Sequence, residues 1–397
     1  MNDGGATQDV VTVDEQGGGR WSWLRRHRLM ASAIALAVVA GGTTATITLA
    51  AGEDTPPCQT VPESTRTLAD RPAAATRALD PGDDLSRFDA VRELLRYDNP
   101  CGDGAEVLGA VVEAATRAPG PGTPHSLAQA RAAYGVAAAL DGAEVPEGMA
   151  PAVARMLADY VVDEARYLMH DDESGGPAVS AEAAAPDPYG WTSYGRFLAP
   201  GEAHTDFEYD QPYGPAEADP EMLVAELAED PEALAILYDA ERAYFAHYLE
   251  RLTTQGGDPA FRPDPKEKSD YASTPTTWPD NDLEDIAERV GNLMKHRAAL
   301  AREGTTDDLA AYDDVVRRHL RGTYRAAPDQ VTTRPPMAAI AARPVGGPLE
   351  GDPMDGRHQL FTVFDAWAKD RGVPAGRAAA MRQIIDDAYV RGLWMRF

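Results

Sequence analysis

Two cysteines and four lysines are all that the 397 residues contain of either type. Cys58 and Cys101 make an even pair, and no His or third Cys stands at ligand spacing beside them. A metal pair or a nucleophilic thiol therefore lacks its usual companions, and in an oxidising compartment the pair reads as a disulfide. On the chain-entropy model a loop of about 43 residues removes on the order of 4 kcal/mol of unfolded-state freedom. Lysine is scarce because arginine takes its place, and alanine is abundant. That combination points to a GC-rich coding bias rather than to a binding signal.

Several catalytic signatures are missing as well. No serine precedes a lysine by three, and no Gly-x-Ser-x-Gly elbow, His-Glu-x-x-His, Glu-x-x-His or phosphate loop occurs. Acyl-enzyme, zinc-peptidase and nucleotide chemistry lose their ordinary sequence marks. Positive charge is also short: 37 Lys and Arg face 64 Asp and Glu, a net charge of -27. The first 51 residues are balanced, so the whole excess belongs to residues 52–397. Such a surface repels nucleic acid, anionic headgroups and anionic wall polymers, and it favours cationic partners or multivalent metals.

The most clearly defined positive feature is Leu29 to Ala51, which holds no charged residue and comes directly after Arg25, Arg26, His27 and Arg28. As a helix it would reach about 34 Å, against a hydrocarbon core of about 30 Å. It is predicted to be a transmembrane helix, with residues 1–28 a cytoplasmic disordered tail, because the arginine cluster stands on that side and Glu53 and Asp54 on the other. The alternative is a long export signal that is cut away, and Arg25-Arg26 also admits a twin-arginine route. Within the span Ala33, Ala37, Gly41 and Ala45 recur every four residues. They could pair two copies as a homodimer, or reflect composition alone. The predicted location is the cell membrane, single-pass, with the C-terminal part extracytoplasmic.

After a juxtamembrane linker, 52–82, the apolar residues repeat at helical spacing and strand signals are nearly absent. Helices are predicted around Leu85 to Leu95, around Val107 to Val112, from Thr123-Pro124 to Leu140, and from Pro151 to His170. Two Asp-Pro-Glu starts, at Asp219 and Asp230, each supply an N-cap, a proline at N1 and a first-turn carboxylate. Further helices are expected over 283–303, 307–321, 359–371 and 374–394, with Pro-rich connectors at 258–279 and 326–353. The fold class is all-α, a multi-helix bundle of about ten helices over 83–397, with a possible sub-boundary in the loop 171–218.

That loop holds the candidate chemistry. In His204-Thr205-Asp206-Phe207-Glu208-Tyr209-Asp210 the carboxylates alternate with aromatics, so an extended chain aims Asp206, Glu208 and Asp210 to one side. With Glu217 at the twelfth place these four could ligate Ca²⁺ in the manner of an EF-hand loop. Gln211 stands where that loop needs Gly, and Pro212 comes next. The alternative is an acidic loop whose aromatics pack on the bundle. Tyr189, Trp191, Tyr194 and Phe197 could form a glycan platform, and Glu202, Asp206 and Glu208 could supply a carboxylate pair for glycoside hydrolysis. His247 and Glu250, one turn apart on a predicted helix, read as a solvated or capping contact.

The segments ARMLADYVVDEARYLM (154–169) and MLVAELAEDPEALAILYDAERAYFAHYL (222–249) resemble a helical region of actinobacterial proteins associated with type VII secretion. In relatives of the Trp-x-Gly substrates a tyrosine-acid helix precedes a helix of this kind. The resemblance covers about a quarter of the chain, implies helices rather than a site, and transfers no catalytic residue. It implies an envelope or secretion-linked role. The functional expectation is a membrane-anchored extracytoplasmic interaction or structural module with a protein partner at the envelope. The alternatives are a cell-wall-active hydrolase and a calcium-dependent binding module.

Overall fold

The computed structural model describes residues 57–166, 176–180, 198–207, 209, 220–257 and 281–394. Among them the chain is overwhelmingly helical. The first helices are α1 (Glu63–Arg66), α2 (Pro72–Leu79), α3 (Phe88–Leu95), α4 (Gly104–Thr116), α5 (Leu127–Leu140), α6 (Ala150–Asp159) and α7 (Val161–Arg166). A two-stranded antiparallel ribbon comes next, β1 (Ala178–Ser180) with β2 (Ala203–Thr205), in the register Val179 to His204. Then come α8 (Pro220–Leu227), α9 (Pro231–Arg251), α10 (Asn281–Glu303), α11 (Leu309–His319), α12 (Met337–Ala341), α13 (Gly356–Arg371) and α14 (Ala375–Trp394).

Local chemistry explains most of the boundaries. α5 opens on a capping box: Ser126 Oγ accepts from Gln129 N, and Gln129 Oε1 accepts from Ser126 N at 3.0 Å. The cap lies beyond the expected Thr123-Pro124. Asp230 caps α9 as anticipated, accepting from Ala233 N at 2.8 Å ahead of Pro231 at N1. The expected first helix begins at Phe88, because Leu85 takes a left-handed φ of 57° while its side chain is buried. The single helix expected over 151–170 breaks at Tyr160 (φ -106°, ψ 27°), whose hydroxyl donates to Thr116 O at 3.0 Å.

α9 is the axis of the helical body formed by the described residues. Eighteen of its 21 residues are buried, so it has no solvent face, and α6, α10, α11, α12 and α13 pack around it. Burying side chains such as Leu234, Tyr238 and Phe245 contributes about 1.5–3 kcal/mol each. Glu232 in its first turn keeps partial exposure, whereas Asp239, Glu241, Arg242, His247, Glu250 and Arg251 all lie inside. The most extensive helix–helix packing among the described residues joins α10 and α14. Gly291 and Gly392 face the opposite backbone there: a Cβ on Gly291 would overlap Tyr389 O, and one on Gly392 would overlap Glu288 O.

Residues 57–82, read from sequence as a linker, fold into the same body. Val61, Ala75 and Leu79 are buried in the core, and a Cys58–Cys101 disulfide closes beside hydrogen bonds from Gln59 N to Asn99 O and from Cys101 N to Gln59 O. The helix count exceeds ten because this segment supplies α1 and α2, Tyr160 divides one expected helix, and the Pro-rich connector 326–353 contains α12.

The expected transmembrane helix requires correction. Among the described residues no helix is long and apolar enough to cross a membrane. The long ones fail on charge: α9 carries six ionisable side chains between Asp239 and Arg251 alone. An integral single-span membrane protein, its cell-membrane location and its membrane partner are therefore not supported. Residues 29–51, with the homodimer positions Ala33, Ala37, Gly41 and Ala45, lie outside the described residues.

Candidate functional site

The sequence placed its candidate chemistry between 171 and 218, and part of that region runs through the interior. Residues 198–206 thread between α5, the α6–α7 break and the segment leading into α12. Backbone hydrogen bonds fix the path: Ala199 N to Pro335 O at 2.8 Å, Ala203 N to His125 O at 3.1 Å and Asp206 N to Pro177 O at 3.1 Å. Arg334 Nε donates to Leu198 O at 2.5 Å.

Two histidine–carboxylate pairs sit on this thread. His125 Nδ1 stands 2.6 Å from Glu202 Oε1, and Glu202 also accepts from the backbone N–H of His125 and of Met337, each at 3.0 Å. His204 Nδ1 stands 2.6 Å from Asp163 Oδ1, while Asp163 Oδ2 accepts from Thr205 N at 2.9 Å. All four side chains are 0% exposed. Beside them Asp159 takes Arg117 Nε at 3.0 Å and lies 4.0 Å from His125 Nε2. Burial pushes the Asp159 carboxyl up despite Arg117. Tyr160, its ring 4.4 Å from that of His125, is pushed well above its ordinary range by burial and then by Asp163, Asp159 and Glu202.

A carboxylate on Nδ1 is how proteins orient a catalytic or metal-binding imidazole. Here the same carboxylates also hold backbone amides from distant segments, so each pair is a tie. Glu202 joins residues before α5 to the start of α12, and Asp163 joins α7 to β2. Of the residues considered for glycoside hydrolysis, Glu202 is thus engaged in the interior and Asp206 is buried.

A second buried group gathers at α10. Arg289 pairs with both Glu164 and Glu221, Asn292 Nδ2 donates to Glu221 Oε1 at 3.1 Å, and His296 Nε2 lies 3.5 Å from Glu221 Oε2. A cavity of about 10 Å³, room for at most one water, is lined by Glu164, Val224, Leu237, Glu241, Arg289, Asn292 and Leu293.

A third surrounds the end of α9. Glu250 accepts from Arg343 Nη2 at 3.0 Å and Ala327 N at 3.3 Å, with His247 Nδ1 at 3.6 Å. Around it, Val331 N donates to Glu250 O at 2.9 Å, Gln330 Nε2 donates to Arg251 O at 3.0 Å, and Arg251 donates to Val331 O and Thr333 O. Burial pushes Glu250 up, but the neighbouring His247 and Arg343 outweigh it and hold the carboxyl at about 2. Burial lowers His247. This pair, expected to be solvated, is the buried anchor of the 321–353 strap.

Of the four proposed calcium ligands only Asp206 is described, and Glu208, Asp210 and Glu217 lie outside the described residues, as do Tyr189, Trp191, Tyr194 and Phe197. Among the described residues no group of three or more His, Cys, Asp and Glu is placed to hold a metal ion. Phe207 is buried in the core, and Tyr209 packs edge-on against Tyr134, whose hydroxyl donates to Tyr209 O at 3.0 Å. The aromatics of the motif that are described therefore pack on the bundle.

Sequence reasoning missed His125, Asp159, Asp163, Glu164, Glu241, Arg289 and Arg343. One signal was available, for Asp159 and Asp163 interrupt an apolar stripe four residues apart, and Glu241 falls on the side of its helix that carries Leu234, Leu237, Phe245 and Tyr248. A scan against protein-family models finds no match, and searches of curated proteins and of solved structures find none either.

Proposed function

We propose that the chain is a helical interaction module, in which the interior acid–base groups serve as ties between helices and the charged surface does the recognising. The observation that carries this reading is the geometry at Glu202 and Asp163. Each carboxylate pairs with an imidazole and with backbone N–H groups of distant segments, two at Glu202 and one at Asp163, at zero exposure. Groups held in this way rigidify a scaffold.

Charge distribution supports a partner class. Residues 309–397 contain 13 Lys and Arg against 10 Asp and Glu, although the whole chain carries -27. All of the acidic excess therefore precedes residue 309, and a net negative charge of this size attracts a cationic partner as it approaches. The resemblance to secretion-associated helices supports a secretion-linked setting. Its two segments correspond to α6 with α7 and to α8 with α9, and α6 packs on α9.

Titration of the full chain with a defined cationic peptide, across a series of salt concentrations, tests the reading. A saturable, stoichiometric complex that weakens as the Debye length falls below about 10 Å supports it. Open-ended counter-ion association, or release of products from wall glycan by the purified chain, overturns it.

A further inference from the structure

The junction of α7, α8, α9 and α10 is the place where buried charge does not balance. Three carboxyl groups, Glu164, Glu221 and Glu241, converge on one guanidinium, that of Arg289. Arg289 pairs with Glu164 and Glu221, and among the described residues no salt bridge reaches Glu241. Its Oε2 is buried without a hydrogen-bond partner, and so is Asn292 Oδ1, on the wall of the same small cavity.

We propose that Glu241 is a buried proton-binding site, neutral in the folded protein at neutral pH and able to release its proton only as this four-helix junction loosens. A carboxylate sealed from water without a cation costs several kcal/mol, and taking up a proton avoids that cost. Protonation also gives an acceptor-only group a hydrogen to offer, with an unused acceptor, Asn292 Oδ1, lining the same cavity. Burial pushes the Glu241 carboxyl well above the ordinary range. Arg289, lowered to about 9 by burial, is still the cation at neutral pH, and its two partners already exceed its charge.

The other charged groups near this helix are engaged. From α10, His296 faces Glu221, and half-buried Lys295 feels Glu221 and Arg289. On α9, Asp239 and Arg242 hold each other, with Arg321 N also donating to Asp239. Asp159 at the end of α6 meets Arg117, Asp313 of α11 meets Arg297, and Arg343 beyond α12 meets Glu250. On α13, Arg357 meets Asp386, and Gln359 lies near Arg242.

A folded value raised above the unfolded one means that folding takes up a proton. The stabilisation is complete below the unfolded value of about 4.3 and is lost as pH rises through the folded value. Each pH unit between the two changes the folding constant by up to about tenfold. The junction is therefore a device that acid tightens and alkali loosens.

Urea unfolding of the full chain and of Glu241→Gln, from about pH 4 to about pH 8, tests this. The glutamine is permanently neutral, so the two folding constants should converge near pH 4, and the variant should exceed the wild type by about tenfold or more at pH 8. Parallel profiles overturn the proposal. Should the variant fail to fold, infrared spectra of the wild-type chain decide. A carbonyl band of a protonated, buried carboxylic acid at neutral pH that persists in Asp159→Asn and in Asp239→Asn supports the site, because burial pushes those two carboxyls up as well, and absence of the band contradicts it.

Discussion

Glu241 and Glu250 belong to one helix, and their surroundings push them in opposite directions. Glu241 faces a junction where anions outnumber cations, and burial drives its carboxyl up. Glu250 faces His247 and Arg343, and they outweigh burial and hold it at about 2. Burial is common to both, so it does not decide the outcome. The difference lies in the donors at hand. One site favours the proton and stabilises the fold in acid, whereas the other excludes it and stabilises the fold above acid pH. The contrast also separates two tasks, since the Glu241 junction holds helices to helices and the Glu250 anchor holds an irregular strap to the end of a helix.

The largest effect should come from removing the cation of the unbalanced site. Arg289→Met leaves three buried carboxyl groups with no guanidinium and should cost about 3–5 kcal/mol in urea unfolding at neutral pH. A much smaller loss would show that the junction is looser than described. Glu250→Gln should cost about 2–3 kcal/mol at neutral pH. The sign comes from the depressed carboxyl: its contribution is present above the unfolded value of about 4.3 and disappears as pH falls toward about 2. Acid unfolding of this variant should accordingly be shallower than that of the wild type. Its proteolysis should begin in 326–353, and cleavage elsewhere would break the link between Glu250 and the strap.

Gly392→Ala forces α14 away from Glu288 O on α10 and should cost about 1–3 kcal/mol. Since α10 carries Arg289, the loss should weaken the Glu241 junction and leave the Glu250 anchor intact. Hydrogen exchange would show this as faster exchange in α10 before α12. The smallest effect belongs to Asp230→Ala, which removes the cap of the helix that both sites share and should cost about 1 kcal/mol at neutral pH while leaving the effects of Glu241→Gln and Glu250→Gln unchanged. A change in either of those effects would mean that the cap and the sites are coupled.

The sequence made the helical class legible because the apolar period is sustained and the cap chemistry at Asp230-Pro231 is local. It made the disulfide legible because Cys58 and Cys101 are the only cysteines. It did not reveal the break at Tyr160, which depends on a carbonyl at Thr116, nor the small β1–β2 ribbon, whose pairing spans residues far apart in the chain. The buried ties were illegible for the same reason. Glu202 resembles any of the many acids in the chain until folding brings His125 and Met337 to it. The His247–Glu250 spacing was visible, but Arg343 and Ala327, which make it an anchor, come from a connector that carries no periodic signal. The expected transmembrane helix rested on hydropathy at 29–51, and among the described residues the long helices carry too much charge to serve as one.

If the interior acid–base groups act as ties rather than as chemistry, Glu202→Gln is the substitution that tests them most directly. It removes a carboxylate from between His125 and Met337 with almost no change of shape. Unfolding and binding of the cationic peptide should be measured on the same preparation. The tie role predicts a lower unfolding midpoint, with peptide affinity unchanged at temperatures where the variant is folded. An unchanged midpoint together with lost affinity would contradict it.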